Sequence, residues 1–154
     1  MELHYGTATP KDLPQLVELL LVLFTDEAEF QPNAEKQKRA LEAILANPAI
    51  GKIFVAREGK RVVAMASLLY TVSTAEGGKA ALFEDLVVHP DERKRGIGEA
   101  LLKYVVAQAR TDGVLRITLL TDMQNERAQA MYRRAGFVGS PMRPMRLRLK
   151  RESG

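Results

Sequence analysis

A basic turn with two glycines, Arg93 to Gly98 (RKRGIG), joins a predicted strand to a predicted helix. The strand covers 81–88, and the helix covers 97–111 with its apolar residues on one side. The first turn of a helix leaves backbone N–H groups without partners, and the helix dipole places partial positive charge there. Because glycine lets an anion approach the backbone closely, the turn predicts a phosphate-binding site.

The remaining sequence alternates between helices and strands, which indicates a mixed α/β sheet. A length of 154 residues leaves room for one domain, 1–154. Asp12 is predicted to cap a first helix that ends near Phe24. The other predicted helices are 34–46, 97–111 and 126–135, and the predicted strands are 3–7, 52–57, 61–70, 81–88, 115–121 and 145–150. We expect the strand 115–121 to be buried, and the last strand to have one basic and one apolar face.

Composition excludes several classes of function. The chain has 23 Lys and Arg against 19 Asp and Glu, a net charge of +4 that favours anionic partners only mildly. It has no cysteine and two histidines, so we expect no disulfide, no thiol chemistry and no metal site. The longest apolar run, Leu19 to Phe24, is too short to span a membrane, and the first residues lack a signal-peptide pattern. We therefore expect a cytoplasmic protein.

Two segments resemble the cofactor motifs of one enzyme family. With the strand before it, the basic turn resembles the acetyl-CoA motif of the GNAT superfamily of N-acetyltransferases, which reads Arg or Gln, two residues, Gly, one residue, Gly or Ala. Arg93, Gly96 and Gly98 fill that pattern, and many members carry glycine where Lys94 stands. A second cofactor motif of the family is similar to a set of later residues: Asn125, Ala128, Tyr132, Gly136 and Phe137.

The resemblance implies a GNAT fold, a single twisted mixed sheet that is flanked by helices and whose fourth and fifth strands splay apart around acetyl-CoA. It implies that the Asn125 side chain and the backbone of the strand segment bind the pantetheine arm. That segment comprises Leu86, Val87 and Val88. The pyrophosphate is expected to contact the Arg93 and Lys94 side chains and five backbone amides, those of Arg95, Gly96, Ile97, Gly98 and Glu99.

Acetyl transfer needs a neutral amine, yet an alkylamine with a pKa of about 10 is mostly ammonium at pH 7. Glu84 lies on the strand expected to flank the thioester, so it is a candidate to accept the proton, directly or through water. Tyr132 is the candidate to protonate the departing CoA thiolate. Alternation places Asp85 on the opposite face from Glu84. The Glu84-Asp85-Leu86 stretch is most similar to the diamine acetyltransferase branch, in which transfer is direct within a ternary complex.

The resemblance implies an amine acceptor and a loop between the first two helices that overhangs the acceptor side. Asp26, Glu27 and Glu29 of this acidic loop favour a small cationic amine, with Asp85 as a further acceptor-side candidate. A merely solvated loop remains open. So do a protein or peptide N-acetyltransferase and a non-catalytic acyl-CoA-binding module. Eight basic residues between 127 and 151 are the best argument for a nucleic-acid-binding module, but aromatic residues are only 6% and tryptophan is absent. The resemblance also suggests a homodimer.

Overall fold

The computed structural model describes residues 2–26 and 31–149 as a five-stranded sheet with helices on both faces. The strands are β1 (Leu3–Thr7), β2 (Gly51–Glu58), β3 (Arg61–Ser73), β4 (Gly78–Val88) and β5 (Ile117–Leu119). The helices are α1 (Leu13–Asp26), α2 (Ala34–Ala46), α3 (Ile97–Thr111) and α4 (Glu126–Arg134). The predicted mixed α/β architecture is therefore confirmed. None of the helices in these residues is long and apolar enough to cross a membrane.

The strands follow one another across the sheet in chain order, from β1 to β5. The first four are antiparallel neighbours, whereas β4 and β5 are parallel. A parallel pair needs a long crossover, which α3 supplies. At the β2–β3 hairpin, Gly59 has a φ of 62°, the left-handed conformation expected of a glycine in a tight turn. Local turn chemistry and one crossover therefore fix the order of the strands.

Each face of the sheet carries its own apolar core. On one face Phe54 and Ala64 pack with residues of α3, among them Leu101 and Val105. On the other face the next residues along the two strands, Val55 and Met65, pack with three leucines of α1 and α2, namely Leu16, Leu19 and Leu41. Neighbours in a strand point to opposite faces, so the two apolar strands β2 and β3 supply both cores at once.

Asp12 does not cap α1, so that prediction is wrong. The helix begins at Leu13, after a 3-10 turn over Pro10–Asp12 that Thr9 precedes. The Asp12 carboxylate instead accepts two bonds from the Arg57 guanidinium, at 2.6 and 2.5 Å, and a third from the Thr9 N–H at 2.8 Å. Asp12 is buried, and the bonds from Arg57 hold the pKa of its carboxyl below the usual value. This pair ties the start of α1 to β2.

Two predicted strands in the last third of the chain are wrong: the first is shorter than expected, and the second does not form. The expected buried strand 115–121 shrinks to the three residues of β5, and Leu115 and Leu120 beside it are more than half exposed. The reason is that no strand in the described part of the chain lies outside β5. Residues 145–149 are not a strand, and Lys150 lies outside the described residues.

Candidate functional site

β4 and β5 separate part of the way along the sheet. Their parallel pairing starts at Ala81 with Ile117 and ends at Phe83 with Leu119. β4 then continues to Val88, paired with β3 on one side only. A strand whose edge is unpaired offers backbone donors and acceptors to an extended ligand. The open segment contains Leu86, Val87 and Val88, the residues expected to bind the pantetheine arm.

A β-bulge lies in the open segment. Glu84 pairs with Ser67, and the next pair along the strands is Val87 with Met65, so two residues of β4 oppose one of β3. Asp85, the first of the two, has a φ of 58°, a left-handed conformation that is rare for a residue other than glycine. The bulge interrupts the alternation on which the sequence argument for Asp85 depended. Beyond it, Val87 shares the α1 side of the sheet with Met65.

The basic turn has the backbone of an anion site. Lys94 has a φ of 68° and Gly96 a φ of 77°, so two of three consecutive residues are left-handed. Lys94 thus adopts the conformation for which many family members use glycine. Gly96 is the residue before α3, where it provides no side-chain cap for the first N–H groups of the helix. Free helix donors beside left-handed turn residues are an arrangement that suits a phosphate.

The arginines of the turn have different partners. Arg95 forms ion pairs with Glu58, at 3.0 Å, and with Glu92, and the bonds that it donates to Glu58 and then to Glu92 raise its pKa. Its guanidinium therefore fastens the turn to β2. Its backbone amide takes no part in these ion pairs and remains a candidate donor to a ligand. Arg93 donates to the carbonyl of Val88 at 3.4 Å and pairs with Asp26 at 3.6 Å. Both Arg93 and Asp26 are about half exposed or more, so a phosphate can replace the carboxylate.

Asp26 is thus placed beside the basic turn, at the end of α1. It was expected to bind the acceptor together with Glu27 and Glu29. Those two glutamates lie outside the described residues. The structure therefore brings one acidic candidate into contact with one cofactor candidate, Arg93.

α4 brings the second motif to β4. Asn125 precedes the helix and caps it, because its side-chain oxygen accepts from the Ala128 N–H at 3.0 Å, and its NH₂ group remains for a ligand. The Tyr132 ring packs edge to face against Phe83 and Phe137, with centroids 6.4 and 5.9 Å away. Burial raises the pKa of the Tyr132 hydroxyl, which therefore stays protonated at neutral pH and can donate a proton.

Two contributions to the site were missed by the sequence analysis. Glu99 in the first turn of α3 accepts from Arg134 of α4 at 2.8 Å, so an ion pair holds the two cofactor-side helices together. This pair left no signal in the sequence, because its members are 35 residues apart. The second is Ser67, a buried residue whose hydroxyl has no hydrogen-bond partner among the described residues. Ser67 is the only polar residue between Val62 and Leu69, and a lone serine in an apolar strand could have marked it in the sequence as a candidate site residue.

The described residues contain no group of three His, Asp or Glu side chains that could hold a metal ion. What the structure does assemble is an open strand edge, an uncapped basic turn and a tyrosine-bearing helix. Contacts at Phe83, Val88 and Glu99 link these three elements. Together they can bind an extended, phosphorylated ligand and supply a proton donor at its buried end.

Comparison with known proteins agrees with this geometry. Residues 13–137 match the acetyltransferase (GNAT) family. A thialysine N-epsilon-acetyltransferase of Caenorhabditis elegans is 29% identical over 139 residues, covering 86% of this chain and 81% of the relative. A glucosamine 6-phosphate N-acetyltransferase of Trypanosoma brucei brucei is 32% identical over 101 residues, which are 65% of this chain and 66% of that relative. A solved putative acetyltransferase from Agrobacterium tumefaciens str. C58 has a TM-score of 0.79 and 28% identity, covering 95% of this chain and 99% of that one.

Proposed function

Because the chain belongs to the GNAT acetyltransferase family and is an N-acetyltransferase, we propose that it transfers the acetyl group of acetyl-CoA directly to a small primary amine. The observation that carries the proposal is the unpaired β4 edge beyond Phe83, which ends beside the uncapped start of α3. An acyl-CoA needs both features, an extended edge for its pantetheine arm and free amides for its pyrophosphate.

In this proposal the backbone from Leu86 to Val88 pairs with the pantetheine arm, and the Asn125 NH₂ group adds a donor. The Arg93 and Lys94 side chains bind the pyrophosphate together with the amides of residues 95–99. The Lys94 side chain is exposed, and within the described residues it makes no ion pair that a phosphate would have to break. When the pyrophosphate binds, Arg93 gives up its ion pair with Asp26 and binds a phosphate oxygen instead.

Glu84 accepts the proton that the attacking amine loses, through a water held between Glu84 and Ser67. Residues directly opposite on adjacent strands have Cβ atoms about 5 Å apart, a span that one water bridges. The orphaned Ser67 hydroxyl supports this arrangement, since a buried polar group without a protein partner is commonly satisfied by ordered water. As the amine nitrogen bonds to the thioester carbon and the C–S bond breaks, Tyr132 gives its proton to the sulfur.

For the acceptor we propose a small cationic amine, as in the diamine branch. The support is the acidic group formed by Asp26, Glu27 and Glu29, together with the thialysine N-epsilon-acetyltransferase among the relatives, whose name denotes an amine acceptor. Asp26 lies 3.6 Å from Arg93, so this member of the group stands beside the proposed pyrophosphate site.

The test is a thiol-release assay with acetyl-CoA and a panel of polyamines, diamines, amino acids, amino sugars and peptides. Diamines should react with the lowest KM, and neutralising the group as Asp26→Asn, Glu27→Gln and Glu29→Gln should raise that KM more at low salt than at high salt. The affinity for acetyl-CoA should not fall. Turnover with peptides alone would replace the small amine by a protein acceptor, and no turnover would reject catalysis.

A further inference from the structure

Side chains of alternating charge tie the basic turn to the β2–β3 hairpin. These residues, here called the clasp, are Glu58, Arg95, Glu92 and Arg61. Arg95 donates from one nitrogen to Glu58 at 3.0 Å and from another to Glu92, and Arg61 donates to the other oxygen of Glu92 at 2.7 Å. Glu58 ends β2, Arg61 begins β3, and the two residues are partners in the hairpin. The clasp therefore starts and ends on one hairpin and holds the turn at Arg95.

Glu92 is the central residue of the clasp. Its side chain is 13% exposed, and its two carboxylate oxygens accept from two different arginines. The bonds from Arg95 and then Arg61 lower the pKa of Glu92, so this carboxylate is ionised at neutral pH. The preceding residue, Asp91, carries the same charge but is 78% exposed and lies 3.9 Å from Arg61. Of these two adjacent carboxylates, Glu92 is thus the one that connects the turn to the hairpin.

The clasp acts on the part of the turn whose backbone is least favourable. Arg95 stands between Lys94, with a φ of 68°, and Gly96, with a φ of 77°. Lysine rarely adopts a left-handed conformation, because its Cβ crowds the following carbonyl oxygen. Such a conformation persists only where the surrounding structure holds it. Because both sides of the Arg95 guanidinium are bound to carboxylates, the clasp supplies this constraint directly beside Lys94.

We propose that Glu92 is a positioning residue for acetyl-CoA, which through the clasp holds the turn in the conformation that presents its backbone amides to the pyrophosphate. This inference rests on the proposed function, in which the amides of residues 95–99 bind that group. Glu92 does not touch the ligand, and as an anion it repels the pyrophosphate. Its contribution is therefore preorganisation of the turn, which lowers the cost of ordering the site when the ligand binds.

The first experiment measures the Kd of acetyl-CoA by calorimetry for the wild type, Glu92→Gln and Asp91→Asn. Glu92→Gln removes a negative charge near an anion site, so charge alone would tighten binding. Positioning predicts the opposite: if about one molecule in ten keeps the turn in place, the Kd rises about 10-fold. Asp91→Asn is the matched control, because it removes the same charge one residue away and leaves the clasp intact, so its Kd should stay or fall. Glu92→Gln that binds as tightly as the wild type, or more tightly, would overturn the proposal.

The second experiment asks whether Glu92 acts through the backbone of the turn. Glycine adopts the left-handed conformation of Lys94 without strain, so in the Lys94→Gly background the turn needs less support from the clasp. Lys94→Gly itself removes a cation that is proposed to bind the pyrophosphate, and the Kd of each double variant is therefore compared with that of Lys94→Gly alone. The loss caused by Glu92→Gln should be smaller in this background than in the wild type. An equal loss in both backgrounds would overturn the proposal.

Two further measurements separate positioning from damage to the fold. Glu58→Gln opens the clasp at its other end and should also raise the Kd, so the test does not depend on one variant remaining folded. At saturating acetyl-CoA and amine, the kcat of Glu92→Gln should equal that of the wild type, because the clasp acts on binding and not on the reacting atoms. A fall in kcat with an unchanged Kd would overturn the positioning role alone. A wild type that does not bind acetyl-CoA would instead reject the proposed function, and this inference with it.

Discussion

The two edges of the sheet are built in different ways. β1 pairs with β2 along all five of its residues, and the buried Asp12–Arg57 pair fastens the adjoining start of α1 to the same strand. β5 pairs with β4 over three residues, after which β4 continues with one side open. We call the first the closed edge and the second, with α4, the open edge. In the closed edge the outermost strand pairs with its neighbour along its whole length, while in the open edge part of β4 has no second partner strand among the described residues.

The largest expected effect is a loss of stability from a substitution in the closed edge. Asp12→Asn removes the charge that compensates the Arg57 guanidinium, and breaking a buried pair in this way costs about 3 to 5 kcal/mol. Because about a quarter of the Arg57 side chain is exposed (26%), we expect the lower end of that range, measured by urea unfolding at pH 7. Acetyl-CoA affinity, measured by calorimetry on the folded variant, should be unchanged. Asp91→Asn, which removes an exposed partner of Arg61, is the control and should leave unfolding as it is.

The same pair predicts a pH dependence with a definite sign. The bonds from Arg57 lower the pKa of Asp12 in the folded protein below the usual 3.8. Its contribution to stability is therefore complete above the unfolded value and is lost as the pH falls through the lower folded value. The difference in unfolding free energy between the wild type and Asp12→Asn should shrink below about pH 4. A difference that stays constant down to pH 2 would mean that the pair does not stabilise the fold.

The next effect belongs to the open edge. Gly96→Glu places a carboxylate where the pyrophosphate is proposed to bind, and repulsion between unit charges about 4 Å apart near a surface is of the order of 4 kcal/mol. Even half of that lowers affinity about 30-fold, so we expect at least this loss for acetyl-CoA. Gly113→Glu is the matched control, since Gly113 also has a left-handed φ and open space but lies at the other end of α3. Equal affinities of the two variants would place the ligand elsewhere.

β1, the β2–β3 hairpin and the helices were largely predictable because their signals are local, whereas the Asp12–Arg57 pair of the closed edge, which joins residues 45 apart, was not. α3 occupies its predicted residues 97–111, and the hairpin forms at Gly59 where a short turn joins two apolar runs. The open edge was less predictable. The bulge at Asp85 depends on how β3 and β4 register, and the Glu99–Arg134 pair joins residues far apart in the chain. β-branched and leucine residues at 115–121 indicate a strand, but this local composition does not show whether a further strand pairs with its outer side.

A smaller effect concerns the proton donor proposed for the open edge. Tyr132→Phe keeps the ring between Phe83 and Phe137 and removes only the hydroxyl, so kcat should fall by roughly 10- to 1000-fold while acetyl-CoA affinity changes little. Tyr104→Phe, which removes the hydroxyl of a tyrosine packed on Phe54, is the control. If Tyr132→Phe keeps kcat within about twofold, the proton on the leaving sulfur comes from solvent.

The smallest expected effect concerns the middle of the sheet, between the two edges, where Ser67 of β3 pairs with Glu84 of β4. Ser67→Ala removes a buried hydroxyl that has no partner within residues 2–26 and 31–149, a change that by itself leaves stability equal or higher. If that hydroxyl holds the water that hydrogen-bonds to Glu84, kcat/KM should nevertheless fall about tenfold, a part of the roughly 100-fold or more that a positioned base contributes. Activity and stability would then move in opposite directions.

A second buried serine separates this positioning role from a packing role. Ser73→Ala is the control, because Ser73 is a buried serine of the same strand whose oxygen accepts from the Glu76 N–H at 3.1 Å. That variant should lose stability and keep kcat/KM, whereas Ser67→Ala should keep stability and lose activity. An unchanged kcat/KM in Ser67→Ala would leave Glu84 to act without Ser67, and the Ser67 hydroxyl would then belong to the packing of β3.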